Sequence, residues 1–227
     1  MATKINKREL EEPDKLQRFF IALKTFLEVY RKRVLTVAGL LVVVLILFGG
    51  WLLYDRYYEG KAQDQYNQVL DAKLRTDPEL AESDRVVIDG FKDVIALHPR
   101  TNAAHMAKYK LANLYATRKE YDLAIPTYEA FLAKRRGNGD LTSLAHAGLG
   151  SCLEAKKDYD KALNQFELAW QTNKTRSLAG LHLSNIARIY ELLNNIDKAT
   201  EFYKQALEKT HDPVLEFYLK RKLALLG

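Results

Sequence analysis

Five histidines and one cysteine are where metal or nucleophilic chemistry would have to begin in this chain. His98 and His211 stand one and two residues before a proline, where helices end and a partial positive charge suits the C-terminal dipole. His105, His146 and His182 recur at intervals near one structural repeat, and no pair has metal-ligand spacing with a cysteine or carboxylate. Ser143 and His146 are three apart on one helical face, but no oxyanion turn accompanies them. Cys152 lies mid-helix among small residues and reads as a small core hydrophobe, and a single cysteine excludes an internal disulfide framework. No glycine-rich phosphate loop follows a strand pattern. Asn173-Lys-Thr175 fits a glycosylation sequon, a signal too short to assign a role. These residues predict no metal, no cofactor, no small-molecule substrate and no catalysis; they leave binding as the function to look for.

The elements that would position any binding residues follow from composition and periodicity. A chain of 227 residues, 48% hydrophobic and 28% charged, has room for a membrane segment and one domain of ordinary size. With 11 Gly and 5 Pro it is neither collagen-like nor of low complexity. The net charge of +6 divides unevenly: residues 1–33 carry 9 Lys/Arg against 5 Asp/Glu, residues 34–54 carry none, and residues 55–227 carry 26 against 24. The nearly neutral body lacks the basic field that a phosphate backbone requires, so nucleic acid is not an expected partner.

The uncharged run Val34 to Tyr54 is 21 residues long. As a helix it rises about 31 Å at 1.5 Å per residue, against a hydrocarbon core of about 30 Å, and it is expected to span a bilayer. The 33-residue head and the bulky exit through Trp51, Tyr54, Tyr57 and Tyr58 do not fit a cleaved signal peptide, so the span is expected to persist as an anchor. Lys24, Arg31, Lys32 and Arg33 precede it closely, and only Arg56 and Lys61 follow within a similar distance. The bias of basic residues predicts a cytoplasmic N-terminus and a body on the far side, with the four aromatics at the outer membrane interface and Arg31, Lys32 and Arg33 at the inner one.

Before the span, residues 13–33 place Leu16, Phe19, Phe20, Leu23, Leu27 and Tyr30 on one helical face flanked by Lys15, Arg18 and Lys24. Such a basic amphipathic helix is suited to membrane lipid, or to docking a cytoplasmic partner. Residues 1–12 show no periodicity and are expected to be a disordered arm.

Beyond residue 55 the pattern is helical and repeats itself. Tyr109-Lys-Leu-Ala-Asn-Leu-Tyr115 precedes Tyr121-Asp-Leu-Ala-Ile-Pro-Thr-Tyr128; Ala147-Gly-Leu-Gly-Ser-Cys-Leu153 precedes Tyr159-Asp-Lys-Ala-Leu-Asn-Gln-Phe166; Ser184-Asn-Ile-Ala-Arg-Ile-Tyr190 precedes Ile196-Asp-Lys-Ala-Thr-Glu-Phe-Tyr203. Ala124, Ala162 and Ala199 are 38 and 37 residues apart. Each unit reads as two helices whose small residues (Ala112, Gly150 and Ala187; Ala124, Ala162 and Ala199) allow close approach while Tyr128, Phe166 and Tyr203 fill the space beside them. One such hairpin cannot bury its apolar face alone, so stacking is required. Phe91, Val94 and Leu97 suggest the second helix of a degenerate leading hairpin over residues 55–100, with Asp77-Pro78 opening it. Asp212-Pro213 opens a terminal cap over residues 211–227, and Gly137-Asn-Gly-Asp140 should lengthen one connecting loop. Pro126 should cost a hydrogen bond unless it falls in a first turn. The fold class is thus all-α: a single-pass N-terminal transmembrane helix, a solenoid of helical hairpins, and a C-terminal capping helix.

In three consecutive units, over residues 101–210, these residues resemble the tetratricopeptide repeat family. They match its Leu-Gly/Ala-x-x-Tyr and Ala-x-x-x-Phe/Tyr positions and depart from it at Lys108, His146 and Leu183, where Trp is usual, and at Leu153 and Phe131. The resemblance implies a concave groove that binds peptides or partner proteins. Its lining would be Met106, Tyr109, Asn113 and Ala116 in the first repeat, Leu144, Ala147, Ser151 and Glu154 in the second, and Leu181, Ser184, Arg188 and Glu191 in the third. Only Asn113 and Arg188 fit the carboxylate grip that some relatives use. The whole layout is similar to the YfgM-like ancillary translocon subunits of the bacterial inner membrane, which implies a periplasmic body beside the SecYEG channel, handing emerging proteins to periplasmic chaperones. The segment from His98 to Leu132 also looks like repeats of outer-membrane assembly and Tol-Pal accessory proteins, so a scaffold for another envelope complex is the alternative.

Overall fold

The computed structural model describes residues 15–75, 81–134, 139–172 and 178–227. Among them every regular element is an α-helix: α1 (Lys15–Val29), α2 (Arg31–Arg75), α3 (Ala81–Leu97), α4 (Asn102–Thr117), α5 (Tyr121–Leu132), α6 (Gly139–Ala155), α7 (Tyr159–Thr172), α8 (Ala179–Leu192), α9 (Ile196–Lys209) and α10 (Pro213–Leu226). The chain divides into two compact units, Met1–Tyr57 and Tyr58–Gly227. The N-terminal arm, Asp77-Pro78 and the Asn173 sequon lie outside the described residues, as do Gly137 and Asn138; Gly139 and Asp140 already belong to the first turn of α6.

In the first unit the helix expected over residues 13–33 is divided. α1 ends at Val29, Tyr30 alone interrupts it, and Arg31–Arg33 open α2. The hydrogen-bond ladder crosses the junction, Tyr30 N donating to Phe26 O and Val34 N to Tyr30 O, both at 2.9 Å. The Arg33 guanidinium lies 5.8 Å from the Tyr30 ring centroid, close enough for a cation–π contact. α2 is the helix among the described residues that is long and apolar enough to cross a membrane, and none of its apolar window is buried. A core helix of a globular protein would show the opposite. Thr36, the hydroxyl deepest in the uncharged run, satisfies itself by donating to the carbonyls of Lys32 and Arg33.

In the second unit, α2 from Tyr58 onward pairs with α3. Ala62 and Tyr66 are buried against Val87, Phe91 and Val94, and a Cβ on Gly90 would come within 2.6 Å of Val69. This leading hairpin is tied to the next helix by an unforeseen cap. The Glu59 carboxylate accepts the backbone N–H groups of Asn102 and Ala103 at 2.9–3.1 Å, while Thr101 caps the same helix from its own end by accepting from Ala104 N. A carboxylate at a helix N-terminus satisfies orphan donors and complements the macrodipole.

The pairs α4/α5, α6/α7 and α8/α9 are three successive hairpins, closed by α10. Ala124, Ala162 and Ala199 are fully buried, as are Phe166 and Tyr203, with Tyr128 close behind. Each hairpin turns through a residue in the left-handed region, Lys119 (φ 62°), Lys157 (φ 63°) and Asn194 (φ 58°), in the same 38- and 37-residue register as the alanines. The backbone bonds are those of a Schellman motif: in the second hairpin Asp158 N donates to Leu153 O at 2.9 Å and Lys157 N to Glu154 O at 2.8 Å. Lysine is strained there, so Lys157→Gly is expected to raise stability by about 0.5–1 kcal/mol, read as a higher urea midpoint at unchanged slope. Pro126 is the sixth residue of α5, past the first turn, so the Asp122 carbonyl loses its helical donor.

Candidate partner-binding face

The residues assigned to the groove by resemblance lie on α4, α6 and α8, and the structure divides them into two kinds. Met106, Tyr109, Ala116, Leu144 and Ala147 are half-buried, Ser151 and Leu181 are exposed, and all seven are uncharged. Tyr109 rests against Phe131, ring centroids 5.4 Å apart. The other five are engaged within the solenoid. Ser184 is buried. Asn113 accepts the Tyr128 hydroxyl proton through Oδ1. Arg188 pairs with Glu154 of the preceding hairpin, donates to Asn185 Oδ1 at 2.9 Å and stands 5.9 Å from the Phe166 ring centroid. Glu191 receives Lys222 at 2.8 Å and the Tyr203 hydroxyl at 2.8 Å. Burial pushes the Glu191 carboxyl up, and the hydrogen bonds from Lys222 and Tyr203 outweigh it and hold it below the usual carboxylate range. Asn113 and Arg188, the two residues that fitted a carboxylate grip, are therefore turned to internal partners.

Two further ion pairs continue the pattern, Arg118 with Asp84 at 3.1 Å and Lys156 with Asp122. Asp84–Arg118, Asp122–Lys156 and Glu154–Arg188 are each 34 residues apart, and Glu191–Lys222 are 31 apart. That fixed offset was the sequence signal for inter-repeat ion pairs, and comparing like residues with like conceals it, because each rung joins opposite charges on neighbouring hairpins.

The histidines are structural in the same sense. Ser143 pairs not with His146 but with His182 of the next hairpin, at 2.7 Å to Nε2, and donates its own proton to Ala169 O at 2.8 Å. The imidazole N–H must then be on Nε2, leaving Nδ1 deprotonated and without a hydrogen-bond partner. A fully buried hydroxyl whose proton is held by a carbonyl is not a nucleophile. His146 bonds Gln165 at 2.8 Å, His98 bonds Gln65 at 3.0 Å, and His105 stacks on Phe131 at 4.2 Å. His211 lies beyond the end of α9 at Lys209 rather than in its last turn. Burial pushes the Cys152 thiol up to about 11, which keeps it inert. Among the described residues no three His, Cys, Asp or Glu side chains are grouped to hold a metal ion.

Of the expected interfacial aromatics, Trp51, Tyr54 and Tyr57 are exposed, and so are Arg31 and Lys32, with Arg33 beside them. Tyr58 differs. Its hydroxyl donates to Leu97 O at 2.8 Å and its ring meets the edge of His98 at 4.9 Å, so it belongs to the leading hairpin. One feature beside Leu181 was not legible in sequence: a groove of about 530 Å³ between α8 and α10, lined by that leucine and by Thr210, Asp212, Val214, Leu215 and Tyr218.

The comparison with protein families agrees with this geometry over almost the whole chain, a model of the tetratricopeptide repeat-like domain matching residues 24–227. The chain belongs to the tetratricopeptide repeat family. Solved structures share its fold. A putative kinesin light chain of Podosopora anserina with nearly identical TPR-like repeats superimposes with a TM-score of 0.58 at 15% identity, over 74% of this chain and 86% of that one. PilF of Pseudomonas aeruginosa gives 0.53 at 17% identity over 75% and 78%, and the MamA RS-1 ArsTM double mutant gives 0.54 at 16% over 69% and 79%. No curated protein matches the sequence. Tetratricopeptide solenoids are protein-interaction modules, and this one takes proteins or peptides as its class of partner.

Proposed function

We propose that this tetratricopeptide protein is a single-pass tether that holds a peptide-binding solenoid on the periplasmic face of a bacterial inner membrane, as an accessory of the Sec translocon and its chaperones. The observation that carries the proposal is the apolar stretch of α2, long enough to cross a membrane and wholly exposed, where the solenoid hairpins bury residues such as Ala124, Phe166 and Tyr203. The uncharged lining of Met106, Tyr109, Leu144 and Leu181 suits extended apolar segments, the kind an unfolded emerging protein presents. Tethering raises the effective concentration at the membrane, so weak, exchangeable binding suffices. Trp51, Tyr54 and Tyr57 are placed at the outer interface and Arg31, Lys32 and Arg33 at the inner one by the same reading.

Two measurements test it on the full chain. Alkaline carbonate should leave the protein in the membrane pellet, and a reporter fused after Gly227 should be active only if it works outside the cytoplasm. Release of the intact chain, or activity only of a cytoplasm-dependent reporter, would sink the proposal. Photocrosslinking from Tyr109 and Leu181 should then trap translocon or chaperone components; capture of an outer-membrane assembly protein would favour the envelope-scaffold alternative.

A further inference from the structure

The junction of α1 and α2 carries a groove of about 580 Å³ with a charge at its edge and hydrocarbon along its floor. Phe26 and Tyr30 form one end, Val34, Ala38 and Leu41 run on from them, and Arg33 is the charged residue that lines it. These positions recur at intervals of three and four, so they share one helical face. The backbone ladder that passes through Tyr30 keeps that face continuous from α1 into α2.

Arg33 is steadied by a ring and not by a carboxylate. Its guanidinium lies 5.8 Å from the Tyr30 centroid, and Tyr30 leans on Phe26 with centroids 4.9 Å apart. A ring face orients a guanidinium without occupying its N–H donors, and that planar fork matches two oxygens of a phosphate. Among the described residues no carboxylate pairs with Arg31, Lys32 or Arg33, whereas Lys24 on α1 is met by Glu28 at 4.0 Å.

A ligand that fits is anionic at one end and apolar for about 12 Å beyond it, the helical rise from Arg33 to Leu41 at 1.5 Å per residue. In a bilayer that ligand is a phospholipid. Its polarity agrees with the sequence, because Arg33 is the last charge before the uncharged run and the groove leads into that run. Net charge narrows the class further. The cationic group of a zwitterionic headgroup would meet Arg31, Lys32 and Arg33 with no carboxylate lining the groove to receive it. We propose that this groove binds one anionic phospholipid of the phosphatidylglycerol type, its phosphate on Arg33 and an acyl chain along Val34, Ala38 and Leu41. The site rests on the reading of α2 as a membrane span, and it is independent of which way the span runs.

Native mass spectrometry of the full chain in detergent, with equal amounts of phosphatidylglycerol and phosphatidylcholine added, tests it. The parent is expected to retain phosphatidylglycerol about fivefold over phosphatidylcholine, the effect of roughly one basic residue on an anionic lipid. Arg33→Gln should bring that ratio close to one. Lys32→Gln removes the same charge about 100° round the helix and should leave most of the preference. Ala38→Phe keeps every charge but fills the groove, and should lower retention of both lipids. Equal losses in Arg33→Gln and Lys32→Gln would mean diffuse attraction to a cationic surface and overturn the site. So would a parent that holds the two lipids equally, or an Ala38→Phe variant that retains as much lipid as the parent. Release of the parent by alkaline carbonate removes span and site together, whereas a membrane-retained parent without lipid preference removes the site alone.

Discussion

Replacing Phe166 by alanine is expected to cost about 3–5 kcal/mol of stability, the range for removing a buried aromatic ring. Phe166 is fully buried on α7 and lies against Gly150 on α6, where an added Cβ would come within 2.9–3.0 Å of its ring. The ring and the missing side chain are one feature of the second hairpin, since only glycine lets the two backbones approach closely enough for the ring to lie between them. Gly150→Ala by itself should cost about 1–3 kcal/mol through overpacking. Combining the two should cost less than their sum, because the methyl group fills part of the space the ring vacates. Urea unfolding of the four proteins checks this, and strict additivity would show that ring and glycine act separately.

Lowering the pH from 7 to 4.5 is expected to weaken the joint between the second and third hairpins through His182. Burial pushes its imidazole down to about 4, from an ordinary 6.5. Above pH 6.5 the ring is neutral folded or unfolded, and its contribution is complete. Between 6.5 and 4 the unfolded chain takes up a proton that the folded chain refuses, so stability falls by about 1.4 kcal/mol per pH unit, to a ceiling of roughly 3 kcal/mol. Below 4 both states are charged and this group adds no further loss. Burial strips the charged ring of water, and nothing replaces it: Nε2 already donates to Ser143, while a proton on Nδ1 would meet no acceptor. Urea midpoints at the two pH values should fall less in His182→Leu than in the parent, and equal falls in both would remove His182 as the cause.

Much of the fold could be read from residue spacing because it rests on local repeats. The alanines at 124, 162 and 199 and the aromatics four residues after each mark where backbones meet and what fills the gap, and such contacts recur at a constant interval. The uncharged run was legible for the same reason: its length alone matches the bilayer. What could not be read was how polar residues on repeating helices are shared. Glu59 caps a helix 43 residues away, Ser143 chooses His182 over the nearer His146, and Arg188 turns to Glu154 instead of to a ligand. A family pattern places these side chains on a face, and only the neighbouring hairpin decides whether they point at a guest or at each other.

The ion pairs between hairpins have a mechanical meaning. Each joins a hairpin only to its immediate neighbour: Arg118 to Asp84, Lys156 to Asp122, Arg188 to Glu154, Lys222 to Glu191. A pull on the C-terminal end therefore loads Lys222 and Glu191 before it loads any other pair. Loosening of that last rung is expected to leave the earlier ion pairs in place.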